Sequence, residues 1–330
     1  MIPMKTSDVR ERIGDRLVVA SVSGGKDSAA LSLHLRELGI EHRRVFMDTG
    51  WEHEKTYEYL RGELTRVIGP IEEIRGPKLM EELIRTKGMF PTRKRRYCTT
   101  ELKLMPMVRH MLTLGGTVIN AIGIRADESA ERAKMREWEH LSGKRIPVAL
   151  DCEVWRPLLT WTMDDVVAIH RRHGLRPNPL YLQGASRVGC WPCIMARKGE
   201  IRMIANADPA RIDRLRVLEA EVGEGAHERW ERDRAAWTAE PPPEPVDEDA
   251  REEWEDKHAR LFERLFTRPS WFQTPNGRFG TMPIDEVVKW SRTSRGGRQY
   301  EIELFAPGAA EEGCMRWGLC ETPSTDPEAP

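Results

Sequence analysis

The sequence predicts an α/β fold, a doubly wound and mostly parallel sheet followed by a mainly helical C-terminal extension. Three observations predict it. An apolar run at 17–22 leads through the glycine turn Ser23-Gly24-Gly25-Lys26-Asp27-Ser28 into helical apolar spacing at 29–38. A second strand-like run at 43–47 leads into a helical segment at 52–66, and two such units in succession imply parallel strands. Strand and helix signals then alternate over about 175 residues, the size of one doubly wound domain.

The glycine turn reads as a phosphate site. Its glycines admit positive φ and close approach of a ligand, while successive N–H groups converge with a helix N-terminus. Lys26 adds a compact positive charge with Asp27 beside it, Ser23 and Ser28 add hydroxyls, and Ser21 lies in the preceding strand. The frame is neither a Walker A loop nor the dinucleotide Gly-x-Gly-x-x-Gly. After the second strand, Asp48-Thr49-Gly50-Trp51 brings Asp48 and Thr49 to the carboxyl ends of the strands, where ligands of such sheets sit. Asp48 suits a ribose hydroxyl or a magnesium ion.

Residues 85–103 hold seven Lys or Arg against the single acid Glu101, a basic stretch that runs into Cys98 and ends at Lys103. The β-rich run 117–122 ends in Gly123-Ile124-Arg125-Ala126-Asp127-Glu128-Ser129, with Arg132 beyond it, and arginines at a strand end suit anionic ligand groups. A short strand at 154–158 precedes Thr162 and Asp165, a capping-box start for a helix ending near Gly174. Asn178-Pro179-Leu180-Tyr181 then leads to Cys190-Trp191-Pro192-Cys193 on a turn-rich loop.

Beyond that loop, 196–237 is charged and helical in period, 241–245 is a Pro-rich linker, and 248–266 resumes as a helix. A basic glycine segment at 292–298, a strand-like run at 300–305 and a disordered tail at 321–330 complete the chain. The expected organisation is a nucleotide-binding domain at 1–195 and a helical extension at 196–320.

Over 330 residues the formal net charge is -1, so no global field favours nucleic acid or membrane, and any basic surface is local. Without a signal-like N-terminus or an 18-residue apolar run, the expectation is a cytoplasmic protein with no membrane partner. Six cysteines with one Cys-x-x-Cys favour metal or sulfur chemistry over a disulfide scaffold. Cys152 reads as a core residue.

These pieces, in this order, resemble the phosphoadenosine phosphosulfate (PAPS) reductase family. That family lies within the Rossmann-like adenine nucleotide α-hydrolase-like superfamily, which includes the N-type ATP pyrophosphatases. The matching residues are the 23–28 loop, Asp48-Thr49-Gly50, Arg96-Tyr97-Cys98 with Leu102-Lys103, Gly123-Ile124-Arg125 through Arg132, Arg156-Pro157-Leu158 with Trp161-Thr162, and Asn178-Pro179-Leu180 through Cys193. Reductases of the family usually lack the Lys26-Asp27 pair, and the iron-sulfur type carries a Cys-Cys where Thr99 follows Cys98 here. In these details the chain looks most like the ATP pyrophosphatase of DNA phosphorothioation systems and the small subunit of sulfate adenylyltransferase.

The resemblance implies an enzyme that binds ATP and Mg2+, adenylates an acceptor with release of pyrophosphate, and takes part in sulfur transfer. It implies catalytic roles for Lys26, Asp27, Lys103, Arg125 and Cys320. It implies nucleotide contacts from Ser21, Ser23, Gly24, Gly25, Lys26, Asp27, Ser28, Asp48, Thr49, Gly123, Arg125 and Arg132. Cys98, Cys190 and Cys193, with Cys320 or Cys314 as a fourth ligand, are the implied holders of a [4Fe-4S] cluster, with zinc as the alternative. Two other readings stand beside it: a PAPS or adenylyl sulfate reductase making sulfite with a thioredoxin-type reductant, and a nucleotide- or nucleic-acid-binding subunit of a larger complex. The expected partners are an adenine nucleotide and either a nucleic-acid acceptor or a sulfur-donor protein.

Overall fold

The computed structural model describes residues 6–238, 251–252, 254–256, 269–272 and 282–294. The linker at 241–245, the run at 300–305, the 321–330 tail, most of the helix expected at 248–266, and Cys314 and Cys320 lie outside the described residues. The elements in chain order begin with α1 (Thr6–Ile13), β1 (Leu17–Val22), α2 (Lys26–Glu37), β2 (His42–Asp48), α3 (Glu54–Tyr59), α4 (Thr65–Ile68), β3 (Glu72–Arg75) and α5 (Met80–Lys87). They continue with α6 (Tyr97–Thr99), α7 (Met105–Thr113), β4 (Thr117–Ile122), α8 (Ala130–Ala133), β5 (Trp138–His140), β6 (Asp151–Trp155) and α9 (Met163–Arg172). The remainder are α10 (Pro179–Leu182), α11 (Lys198–Ala207), α12 (Pro209–Thr238) and α13 (Ile284–Ser291).

Among the described residues six strands form one sheet in the order β3-β2-β1-β4-β6-β5, parallel except for β5, which runs antiparallel to β6 at the edge. Alternation along β1 shows why helices cover both faces. Val18, Ala20 and Val22 pack with Leu31, Leu35 and Ile169 of α2 and α9, whereas Val19 packs with Val45, Val118 and the α7 residues Met107, Val108 and Met111. Cys152 lies in β6 within this second layer, fully buried, and burial pushes its thiol up to about 11.

The helix after the glycine turn starts at Lys26 rather than at 29, because Gly25 is its N-cap in an extended conformation and the turn folds directly into the first helical residues. The segment expected as one helix at 52–66 consists of α3 and α4 joined by a π turn at Leu60–Leu64, and a second π turn at Thr100–Leu104 joins α6 to α7. The last strand of the series sits at Asp151–Trp155 instead of 154–158. Thr162 caps α9 as its spacing predicts: Asp165 Oδ2 accepts from the Thr162 N–H at 2.7 Å and Thr162 Oγ1 accepts from the Asp165 N–H at 3.3 Å.

Among the described residues the chain forms two compact units, one from 6–80 and 97–193 and the other from 81–96 and 194–294. The second unit is helical. Buried Glu219 of α12 accepts the N–H groups of Trp271 and Ile284 at 2.8 Å each, which fixes 269–272 and α13 onto that helix. Residues 81–96 belong to it through contacts such as Arg229 Nη2 donating to the Gly88 carbonyl at 2.7 Å and Phe90 meeting Trp271 edge-on. No described helix is long and apolar enough to cross a membrane.

Candidate functional site

In the sheet order, β1 has β2 on one side and β4 on the other, and the chain winds outward from this point in both directions. A crevice opens at such a switch point beyond the carboxyl ends of the two strands. The 23–28 loop leaves β1 there, and the loop beginning at Gly123 leaves β4 beside it.

The glycine turn is held by its own side chains. Gly24 has φ +71, and a Cβ there would stand 2.9 Å from Thr56 Cγ2, so conformation and crowding both require glycine. Ser28 Oγ donates to the Gly25 carbonyl at 2.9 Å and accepts the Ser23 N–H at 3.1 Å, and Ser23 Oγ lies 3.3 Å from it. Asn178 Nδ2 donates to the Gly24 carbonyl at 3.3 Å. His170, fully buried and with its pKa lowered first by that burial, donates from Nε2 to the Lys26 carbonyl at 2.9 Å. Tyr181 Oη accepts the Lys26 N–H at 3.2 Å.

The two strand-end loops are joined by charge. Asp27 Oδ2 is 3.4 Å from Lys26 Nζ, and Asp27 Oδ1 accepts from Arg125 Nε at 2.6 Å. Arg125 is 4% exposed and also donates to Asp127 Oδ2 at 2.5 Å, so its guanidinium is paired on two sides. A buried charge held in this way is stable only while its partners stay. Gly123 makes the approach feasible, since a Cβ there would lie 2.6 Å from the Asp27 carbonyl oxygen. Arg132 pairs with Glu128, four residues earlier, and Ser21 Oγ donates across the sheet to Asn120 Oδ1 at 3.2 Å.

The loop after β2 forms a second network. Asp48, 1% exposed, accepts from Gly50 N–H at 2.8 Å, Tyr57 Oη at 2.7 Å and Arg75 Nε at 2.6 Å. Burial pushes its carboxyl up, but the donors Tyr57, Gly50 and Arg75 hold it below its ordinary value. Buried Glu52 accepts from Thr49 Oγ1 at 2.8 Å, from the Trp51 N–H at 3.2 Å and from Tyr57 Oη at 3.1 Å. Asp48 thus spends its carboxylate on Gly50, on Tyr57 of α3 and on Arg75 of β3, Thr49 spends its hydroxyl on Glu52, and Tyr57 stands between two carboxylates.

Glu52 leads to the cysteines. Its backbone forms an antiparallel bridge with Cys190, the Trp191 N–H donates to the Trp51 carbonyl at 2.7 Å, and Trp51 Nε1 donates to the Pro192 carbonyl at 3.0 Å. Cys98, in α6, is partly exposed like Cys190 and Cys193. Lys103, on the π turn that follows Cys98, feels all of them: Cys190 most strongly raises its pKa, burial opposes, and Glu52, Cys193 and Cys98 add to the increase. Burial pushes the Cys190 thiol up while Lys103 pulls it back. Arg187 Nη2 reaches Cys193 Sγ at 3.5 Å. Among the described residues no three His, Cys, Asp or Glu side chains are grouped tightly enough for one metal ion.

The structure therefore brings Lys26, Asp27, Arg125 and Gly123 together at the switch point, and Cys98, Cys190 and Cys193 together around Lys103. Sequence reasoning missed Glu52, Tyr57, His170 and the contacts of Asn178 and Tyr181 with the turn. The Asn178-Pro179-Leu180-Tyr181 stretch was visible as a motif, and an acid directly after the Trp51 turn was the available signal for Glu52.

The family model described as phosphoadenosine phosphosulfate reductase domain matches residues 17–196. An uncharacterized 37.8 kDa protein of Escherichia phage 186 is 36% identical over 248 residues, 60% of this chain and 72% of that protein. Adenosine 5'-phosphosulfate reductase 2 of Bacillus subtilis is 26% identical over 184 residues, 55% of this chain and 74% of the reductase. The crystal structure of a phosphoadenylyl-sulfate (PAPS) reductase from Candida auris in a phosphate complex aligns with a TM-score of 0.45 at 15% identity, covering 58% of this chain and 90% of that one.

Gly123→Ala places a methyl group against the Asp27 carbonyl, so one of the two loops must move. The variant is expected to fold with a lowered Tm in thermal denaturation. A wild-type Tm would show that the close approach is not needed.

Proposed function

The chain belongs to the phosphoadenosine phosphosulfate reductase domain family, and on that footing we propose that it is an adenylating ATP pyrophosphatase that takes part in sulfur transfer through a cysteine-held cluster. The observation that carries the reading is Lys26 paired with Asp27 inside the glycine turn, with Arg125 locked to the same carboxylate at 2.6 Å. A nucleotide ending at its α-phosphoryl group has little use for a lysine at this turn. The β- and γ-phosphates of ATP bring several negative charges that Lys26 and the N-terminus of α2 can meet.

In the proposed reaction an acceptor oxygen attacks the α-phosphorus, the bond from that phosphorus to the α–β bridging oxygen breaks, and pyrophosphate leaves toward the 23–28 loop. Lys26 balances the charge that develops on the leaving group, while Arg125, fixed by Asp27 and Asp127, positions the loop carboxylate. Mg2+, when bound with the nucleotide, would supply further charge neutralisation, and Asp27, shared between Lys26 and Arg125, is the loop carboxylate that would help hold it. Asp48 and Thr49 shape the wall of the crevice on the β2 side, and Ser21, Ser23, Ser28 and Arg132 support the two loops.

Cys98, Cys190 and Cys193 suit a [4Fe-4S] cluster better than zinc. They are soft thiol donors whose charges Lys103 senses together, the ligand type such a cluster takes. Cys320 stays the proposed fourth residue. When bound, such a cluster would supply sulfide or electrons beside the nucleotide. Lys103 and Glu52 set the charge beside the three thiols.

A second reading, reduction of an adenylyl sulfate to sulfite, is favoured by the Bacillus subtilis relative that bears that activity in its name. The acceptor in the leading reading is proposed to be a nucleic acid. Arg93, Lys94, Arg95 and Arg96 lie exposed in succession on a turn held by the Arg95 N–H donating to Thr92 Oγ1 at 2.9 Å, and none of the four has an ion pair among the described residues.

Lys26→Ala is expected to lower pyrophosphate release in a coupled assay by at least about a hundredfold, and near-wild-type release would sink the ATP half of the proposal. Protein purified without oxygen should show broad iron-sulfur absorption with about four irons per chain, reduced in Cys98→Ser. Stoichiometric zinc instead would contradict the cluster. Affinity for a single-stranded oligonucleotide should fall with salt on a log–log slope near -3, about -0.7 for each of four contacts. Replacing Arg93, Lys94, Arg95 and Arg96 by Ala should flatten that slope, and an unchanged slope would remove this turn from the acceptor surface.

A further inference from the structure

The first backbone N–H of α2, that of Lys26, faces the place where a polyphosphate would meet the turn. It is already engaged. It donates to the phenol oxygen of Tyr181 at 3.2 Å, and the Lys26 ammonium stands 5.0 Å above the centre of the same ring. Tyr181 therefore touches both groups of Lys26 that a phosphate would use, the ammonium being shared with Asp27.

Tyr181 belongs to α10, a single turn capped by Asn178, whose Oδ1 accepts the Leu180 N–H at 3.0 Å and whose amide donates to the Gly24 carbonyl at 3.3 Å. That turn is pinned to the glycine loop without help from the phenol. Leaving Lys26 requires the ring to rotate about its own side-chain bonds and to give up its backbone partner Val188 as well, while the Asn178 contacts stay in place.

Resting on the polyphosphate reading of the loop, we propose that Tyr181 is a ligand-displaced plug of this site: its hydroxyl holds the position of a phosphate oxygen, and a ligand with phosphates beyond the α position displaces it at a cost in affinity. A hydrogen bond to an ionised phosphate oxygen is roughly twice as strong as one to a neutral phenol, and Lys26 exchanges a ring face for an anion in the same step. AMP offers no oxygen at this N–H and leaves the phenol where it is. The phenol thus responds to what the nucleotide carries at its far end, without contact to base or ribose.

The test is calorimetry of wild type and Tyr181→Phe with Mg2+ and either pyrophosphate, ATP or AMP. Removing the competing oxygen is expected to tighten pyrophosphate and ATP about three- to tenfold and to leave AMP unchanged. Equal or weaker pyrophosphate binding in the variant, or AMP tightened to the same degree, overturns the plug while leaving the polyphosphate reading intact. If wild type binds neither pyrophosphate nor ATP, the polyphosphate reading itself fails. A measurement on wild-type protein keeps the claim exposed should the variant misfold. With 3-fluorotyrosine in all five tyrosines, pyrophosphate should shift the Tyr181 resonance and AMP should not, the assignment coming from Tyr181→Phe or Tyr181→His. A shift with both ligands, or with neither, overturns the proposal.

Discussion

Asp27 and Arg125 hold the ends of two neighbouring parallel strands together, and the candidate site depends on that contact. Parallel strands connected by crossover helices leave their carboxyl ends open, and at the switch point between β1 and β4 nothing in the sheet itself closes the gap. A 2.6 Å ion pair closes it. Because Arg125 is buried, desolvation would make it costly unless its charge were matched, and Asp27 and Asp127 match it. Gly123 is the steric condition for the same contact. Lys26 is then left as the cation whose carboxylate partner is shared with another, so it is the one best able to turn toward an incoming anion.

The β2 loop extends this arrangement to the cysteines. Tyr57 has one hydroxyl proton and two carboxylate neighbours, Asp48 and Glu52, so the loop is stiffened by a chain of hydrogen bonds rather than by apolar packing. Glu52 carries the chain onward through its backbone bridge to Cys190 and its charge beside Lys103. The glycine turn after β1 and the β2 loop that bridges to Cys190 are thus borne on adjacent strands of one sheet.

Much of this was legible from local pattern. The glycine turn between an apolar run and a helical one identifies β1 and α2, and the Thr162–Asp165 spacing identifies the start of α9, because both signals act within a few residues. The strands β3 and β5 were not legible. Glu72–Arg75 and Trp138–His140 are short edge segments with charged residues, and neither offers an alternation long enough to count. Residues 81–96 join the helical unit through tertiary contacts to α12 and Trp271, which no periodicity announces. The pairing of Arg125 with Asp27 spans 98 positions, and Tyr181 reaches Lys26 across 155, so their chemistry was visible while their partners were not.

The most direct test of the central claim is competition for the nucleotide site, with labelled ATP bound to the protein and displaced by pyrophosphate or by adenylyl sulfate. Displacement by pyrophosphate at lower concentration than by adenylyl sulfate is the result expected if the Lys26 turn holds β- and γ-phosphates. Tight displacement by adenylyl sulfate with no effect of pyrophosphate would contradict the account and establish a sulfonucleotide site.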